Sequence, residues 1–393
     1  MRVIILVRQN LNKTFYKNWE LEYKKKKIDF QFWSLLPLAN KKLFKIYSNK
    51  NYRTISHSKF IFIKSYKHLF KKISGIKGKT YVLNEVGGFF HNLIEFFLIK
   101  KGCLKIKKFD SAFANYNNTN IYEDFKRILN YGYLFLIKKI ITRLIIYFKN
   151  FLLKIISIDP SYYITPNEIS YDELKEKKLN SKIFKYNSSL FNQFKKIAHQ
   201  KSKKNNIVFI DQELEKSWEQ KVGNYTNLVD KQKYWNCLNE IFNYFEKKLK
   251  IKVIIAAHFR RSKDKKNLPN IGRKFIFDKT PELIKNSKLV IGHHSIALNY
   301  AILMQKPIVL LDFRLFDSSN LQNNKHLYFL GKKISAIIIH IDTKYKFNLN
   351  KKIFKNLFKI NKKKYNNFGN YYLGFRKYKN VHQNIWSAIS RIS

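Results

Sequence analysis

Between residues 207 and 312, short continuous apolar runs alternate with helical stretches, and few folds accommodate that alternation. Ile207-Val208-Phe209-Ile210-Asp211 and the segments 253–257, 288–292 and 307–311 are too short for buried helices and rich in β-branched residues. Between them, residues 234–249 place Leu238, Ile241, Phe242, Phe245 and Leu249 at helical spacing. Thr280-Pro281-Glu282 reads as an N-cap with proline in the first turn, and residues 296–304 read as another helix. A strand followed by a helix, repeated, predicts a parallel sheet with crossover helices, an α/β unit.

The N-terminal half carries a looser version of the same pattern. Strands are expected at 2–7, 28–33, 80–84, 103–109 and 162–165, and Gly87-Gly88 opens a helix after the third of these. A chain of 393 residues can bury two cores. Residues 191–204 lose apolar periodicity, which puts a domain boundary near 190–205. The expected layout is an N-terminal domain over 1–195, a C-terminal domain over 205–375 and a terminal helix within 376–393.

Charge constrains the partners. The chain holds 78 Lys+Arg against 26 Asp+Glu, a formal charge of +52, which attracts polyanions such as phospholipid surfaces, nucleic acids and sugar phosphates. No helix-turn-helix, RNP-type aromatic motif or zinc finger accompanies the charge, so no specific nucleic acid is expected. Cys103 and Cys237 form no CxxC pair, which suits a reducing cytoplasm. No signal peptide is read at the start, and no apolar stretch reaches the roughly 20 residues of a membrane span. Residues 123–158 instead read as a basic amphipathic helix. Lys138, Lys139, Arg143, Lys149 and Lys154 gather on one side, and Leu134, Ile137, Ile141, Leu144, Ile145, Phe148, Leu152 and Ile155 fill the rest. Such a helix suits the face of an anionic leaflet, or a sheet beneath a solvated lysine face.

Two polar clusters follow strands of the C-terminal half, where open α/β sheets bind ligands. One is Ala256-Ala257-His258-Phe259-Arg260-Arg261, and the other is Gly292-His293-His294-Ser295 before a helix. Free amides at that helix start, the Ser295 hydroxyl, a His258 donor and the Arg260 fork would together suit a phosphate. Loop and capping roles are the alternative for each residue taken singly.

This pattern of strand, histidine and arginine, then strand, Gly-x-x-Ser, helix, Lys-Pro and strand resembles the bacterial sialyltransferases, polysialyltransferases and related capsule polysaccharide glycosyltransferases. The resemblance covers residues 207–312 well, 80–165 loosely and the last 80 hardly at all. It implies a GT-B-like α/β fold, two Rossmann-like domains facing a cleft. His258 takes the position of the His-Pro histidine, with Phe259 where the family has proline. His294 and Ser295 take the position of a hydroxyl pair, with His294 replacing one member. Gly292, Arg260 and Glu282 join the donor site, Glu282 through its likeness to the family's Pro-Glu element; a helix-start glutamate favoured by the dipole is the alternative. The family's acidic-acidic-Gly motif, which supplies a general base, is matched best by Phe109-Asp110-Ser111, where only the second acid is kept. Glu85 in Glu85-Val86-Gly87-Gly88 competes for that role.

The expected activity is transfer of a sugar, in the acidic-sugar class of sialic acid, from a nucleotide donor to a cell-surface glycan acceptor. A CMP-sugar is the favoured donor, the mechanism inverting and metal-independent, and no cofactor is required. The expected place is the cytoplasmic side, peripheral at the inner face of the membrane. Polyol-phosphate transfer to a cell-wall polymer and a non-catalytic glycan- or nucleic-acid-binding role remain alternatives.

Overall fold

The computed structural model describes residues 2–7, 29–39, 59–84, 89–109, 158–177, 179–202, 205–216, 230–258, 261, 263–264, 268–313, 321–342, 344–348, 351–374, 381–383 and 385–391. Within 141–155 it also describes positions 141, 144, 145, 147, 148, 151, 152, 154 and 155. The chain divides into two compact units. One comprises Met1–Ala112, Asn118–Asn187 and Tyr378–Ser393, and the other Phe113–Asn117 and Ser188–Lys377. Each is an α/β unit around one parallel sheet, the layout expected of two Rossmann-like domains.

Among the described residues the N-terminal sheet has seven strands, β1 (Arg2–Val7), β2 (Asp29–Ser34), β3 (Phe60–Phe62), β4 (Thr80–Asn84), β5 (Leu104–Lys108), β6 (Tyr162–Thr165) and β7 (Lys182–Lys185), in the order β3-β2-β1-β4-β5-β6-β7. All its pairings are parallel. Helices cover both faces of such a sheet, so its central strands read as unbroken apolar runs. Strand β1 follows that rule. Val3, Ile5 and Val7 enter one core cluster while Ile4 and Leu6 enter the other. Helix α1 (Phe89–Lys100) follows β4 and seals the second face with Ile94 and Leu98. The chain end returns to this unit. His382 bridges Tyr186, and Ala388 and Ile389 from the short helix Ile385–Ile389 fill the first core cluster.

Among the described residues the C-terminal sheet has six strands, β8 (Asn206–Ile210), β9 (Val253–Ala256), β10 (Phe275–Ile276), β11 (Ser287–Gly292), β12 (Ile308–Phe313) and β13 (Ile337–Ile341), in the order β10-β9-β8-β11-β12-β13. All are parallel. Its helices include α2 (Ser189–Ala198), α3 (Lys231–Leu249), α4 (Thr280–Lys285), α5 (Leu298–Leu303) and α6 (Leu321–Ile334). Strand β8 sends Ile207 and Phe209 to a core under α3, and Val208 and Ile210 to a core under α5 and α6.

Two sequence expectations need correction. Residues 191–204 do not lose helical order at once: Ser189–Ala198 is a helix whose N-cap Ser188 accepts a hydrogen bond from the Phe191 amide, with Phe191 and Ile197 buried. Leu190, Phe191, Phe194 and Ile197 carry the helical period, which stops only in the polar run that follows Ala198. Thr280 is not an N-cap. That position belongs to Lys279, no side chain caps the helix, and Pro281 fills the first turn where no amide donor is needed.

Candidate functional site

Counted within its own unit, the C-terminal sheet runs 3-2-1-4-5-6. Strand β8 is followed in sequence by a neighbour on one side, β9, while β11 joins on its other side. The crossovers therefore leave β8 in opposite directions, and a crevice opens between the carboxyl ends of β8 and β11. Ile210-Asp211-Gln212-Glu213 leaves β8 on one side of this seam, and Gly292-His293-His294-Ser295 leaves β11 on the other.

Asp211 is the hub of the seam. Its buried carboxylate accepts from the Glu213 amide (2.9 Å), the His258 amide (3.2 Å), Arg261 Nε (2.5 Å) and Arg261 Nη2 (2.8 Å). Arg261 turns the rest of its fork on Glu215, 2.7 Å from Nη1 to Oε1, and Glu215 also accepts from the Trp235 indole at 3.1 Å. The guanidinium lies 5.1 Å from the Trp235 ring. Burial alone would lower the Arg261 pKa, but the hydrogen bonds and charges of Asp211 and Glu215 outweigh it and raise it. Arg261 is thus an internal strap holding the β9 exit to β8, and not a solvated side chain.

That strap sets the backbone at His258. The His258 side chain is partly exposed, and its Nδ1 lies 3.9 Å from Glu213 Oε2. Glu213 adopts a positive φ of 52°, the turn that brings its carboxylate round beside His258.

Across the seam the two adjacent histidines part company. The His293 ring is buried: Nδ1–H donates to the Leu311 carbonyl (3.0 Å), so Nε2 accepts from the Tyr234 hydroxyl (2.8 Å). Burial drives its pKa down to about 4, against the pull of the Leu311 carbonyl, and the ring serves the core. His294 stacks on His326 of α6 with centroids 5.0 Å apart and planes 19° apart. Burial first, and His326 second, lower its pKa to about 4, so near neutrality it offers a neutral imidazole. Ser295 Oγ accepts from the Ala297 amide at 3.2 Å, which starts the turn into α5. The Gln212 side-chain amide donates to the His294 carbonyl, tying the two lips of the seam together.

The structure therefore brings His258, His294 and Ser295 to the carboxyl edge of one sheet, on β9 and β11 with β8 between them. A side chain at Gly292 would meet Leu298 and Ile210, so this glycine faces the core. Glu282 on α4 acts on the α5 face: after burial, its charge is the second cause holding the Tyr300 hydroxyl at about 12, and that hydroxyl donates to Gln193 at 2.5 Å. Asp110, Glu85 and Arg260 lie outside the described residues. Sequence reasoning passed over Gln212, Glu213 and Glu215; the signal was there, as a polar run directly following a buried strand. A separate hollow of 350 Å³, lined by Ile308, Ile337, Leu357 and Tyr365 among others, lies at the amino ends of β12 and β13, the edge opposite to the one parallel α/β sheets use for ligands.

On the 141–155 segment the described apolar side chains, except the half-buried Leu152, face outward. Ile141, Leu144, Ile145, Tyr147, Phe148, Phe151 and Ile155 are exposed, Tyr147 by 76%, as is Lys154. Among the described residues no helix is long and apolar enough to cross a membrane.

No family model matches this chain, and no curated protein matches it in sequence. Among solved structures it is similar to the UDP-GlcNAc 2-epimerase of Methanocaldococcus jannaschii in complex with UDP-GlcNAc and UDP, at 14% identity and a TM-score of 0.44, over 100% of this chain and 99% of that one. It is also similar to the wall teichoic acid polymerase TagF, at 11% identity and a TM-score of 0.44, over 94% and 84% of the two chains. A third is the glycosyltransferase of kitacinnamycin, at 9% identity and a TM-score of 0.40, over 91% and 89%.

Proposed function

We propose that this protein is a glycosyltransferase of GT-B type whose nucleotide-sugar donor binds at the seam between β8 and β11. The observation that carries the reading is the coincidence of two independent features. The residues resembling the sialyltransferase donor motifs, His258 and His294-Ser295, stand around the crevice that the strand order of the C-terminal sheet creates. His258 and the Ser295 hydroxyl supply hydrogen bonds to the donor phosphate and stabilise the leaving nucleotide, and the Arg260 fork, two positions after His258 in the chain, is proposed to join them. Asp110 is the proposed general base on the acceptor hydroxyl, with Glu85 second. The transfer is inverting and metal-independent, the favoured donor a CMP-sugar of an acidic sugar, and the acceptor a cell-surface glycan.

The proposed place of work is the inner face of the cytoplasmic membrane. The outward apolar stripe of 141–155 and the formal charge of +52 both suit an anionic lipid surface.

A thermal-shift panel of CMP, UDP, GDP and their sugars tests the donor. Stabilisation by CMP and CMP-sugars above the others is the expected result. Stabilisation by UDP-sugars alone would keep the transferase and replace its donor, and no response to any nucleotide would remove the donor site.

A further inference from the structure

Beyond the seam, the carboxyl edge of the C-terminal sheet carries a second group of chemically able side chains. Asp312 near the end of β12 and His340 near the end of β13 are register partners. The Asp312 side chain is 1% exposed, and its Oδ2 accepts from His340 Nδ1 at 2.8 Å and from the Tyr328 hydroxyl at 2.5 Å. Oδ1 is buried without a hydrogen-bond partner among the described residues. A carboxylate kept inside a sheet with one oxygen unmatched costs folding stability, and such groups concentrate where a protein acts on a ligand.

What the carboxylate does is fix an imidazole. With its Nδ1 proton directed at Asp312, the His340 ring in its neutral form keeps Nε2 as a hydrogen-bond acceptor. The His340 side chain is 46% exposed and Tyr328 is 41% exposed. The two rings lie stacked, centroids 6.1 Å apart and planes 27° apart. The stacked pair is half-exposed, with the His340 Nε2 at its edge and a negative charge behind it.

That chemistry selects a ligand class. The carboxylate disfavours phosphate and other anions. An apolar ring face beside a fixed acceptor matches a neutral sugar ring, which packs its C–H face on aromatic surface and donates from its hydroxyls. Helix α6 gives the platform its position. Leu327 is buried against the sheet, so His326 and Tyr328, one residue to either side, lean in opposite directions. His326 meets His294 at the seam, and Tyr328 meets His340 on β13. Two strand spacings separate β11 from β13, roughly 10 Å, within the reach of one nucleotide-sugar or of the acceptor beside it.

We infer that Tyr328 and His340, held by Asp312, form a recognition platform for a neutral sugar ring, with His340 Nε2 accepting a hydroxyl hydrogen bond. The inference deepens the glycosyltransferase reading and rests on it for the identity of the substrate. It favours a neutral ring at this place even if the transferred sugar is acidic, so the ring belongs either to a neutral donor sugar or to the acceptor glycan.

The test uses the full chain labelled with ¹⁵N-histidine, with His340 signals assigned by their loss in His340→Gln. Three probes are titrated while the imidazole shifts are followed: methyl β-glucoside, UDP-glucose and UDP. Saturable His340 shifts with the glycoside support an acceptor ring, and shifts with UDP-glucose but not UDP support a donor ring. In either case His340→Ala and Tyr328→Leu weaken binding of that probe about tenfold or more, the size expected for losing a principal hydrogen bond or stacking face. No His340 response to either sugar, equal affinity in the variants, or a response to UDP alone overturns the platform. A parallel thermal shift with the nucleotides reads the seam separately. Nucleotide binding without a His340 response sinks only this inference, and a glycoside response without nucleotide binding sinks only the donor reading.

Discussion

Gln212 and His294 leave neighbouring strands on opposite sides of the β8–β11 seam, and the Gln212 side-chain amide donates to the His294 carbonyl across it. This bond fixes the peptide that presents Ser295, and Asp211, one residue earlier, fixes the amide of His258. Both lips of the proposed donor site are thereby referred to the end of a single strand.

Removal of the proposed phosphate contacts should be felt in binding and not in folding. His258→Ala and Ser295→Ala are each expected to weaken nucleotide binding by about 1–3 kcal/mol, the range for a hydrogen bond to a charged group. Gln212→Ala should weaken it less, because it acts only through the loop. Isothermal titration against the best nucleotide of the thermal-shift panel measures all three. Wild-type affinity in both His258→Ala and Ser295→Ala would exclude the seam as the phosphate site.

Arg261 should behave in the opposite way. Its side chain is fully buried between Asp211 and Glu215, so Arg261→Ala leaves two carboxylates inside the protein without their cation. Breaking a buried pair in this manner costs about 3–5 kcal/mol. Urea denaturation should show that loss, and a change under 1 kcal/mol would mean that the strap is not a stabilising element.

Acid should weaken the fold through His293. Its folded pKa is about 4 against an ordinary 6.5, because burial opposes its charge. Above pH 6.5 the ring is neutral in both states and its contribution is complete. As pH falls from 6.5 toward 4, the unfolded chain binds a proton that the folded chain refuses, and stability drops. The loss from this residue is on the order of 3 kcal/mol. Stability that stays flat between pH 6.5 and 5 in denaturant titrations would contradict the buried, neutral ring.

The outward stripe of 141–155 predicts co-sedimentation with anionic vesicles at low salt that fades as ionic strength screens the lysines. Leu144→Glu combined with Phe148→Glu should abolish most of it. Equal sedimentation of wild type and variant, or equal affinity for neutral vesicles, would show that the stripe does not meet lipid.

Asp110 lies outside the described residues, and its assignment rests on resemblance alone. Asp110→Asn conserves shape and removes the base, so donor affinity should hold while transfer slows by about 10²–10⁴. A smaller effect, with a large one in Glu85→Gln, would move the base to Glu85.

Much of this molecule was written in local sequence. The strands at 207–210, 253–256, 287–292 and 308–313 are legible because a strand buried on both faces must be apolar throughout, and their alternation with helices dictates parallel pairing. The positions of His258 and Ser295 just beyond strand ends follow from the same pattern. Sequence could not supply strand order, since it fixes which segments are strands and not which neighbour each one takes. Only the tertiary structure put β11 beside β8, opening the crevice between Gln212 and His294. It also separated two adjacent histidines, sending His293 to the Tyr234 hydroxyl and His294 to the His326 ring, because successive residues leaving a strand face opposite sides of the sheet. The tertiary structure likewise made Arg261 a buried strap. Its partners Asp211 and Glu215 are about 50 residues away in the chain and reach it only through the β8–β9 pairing.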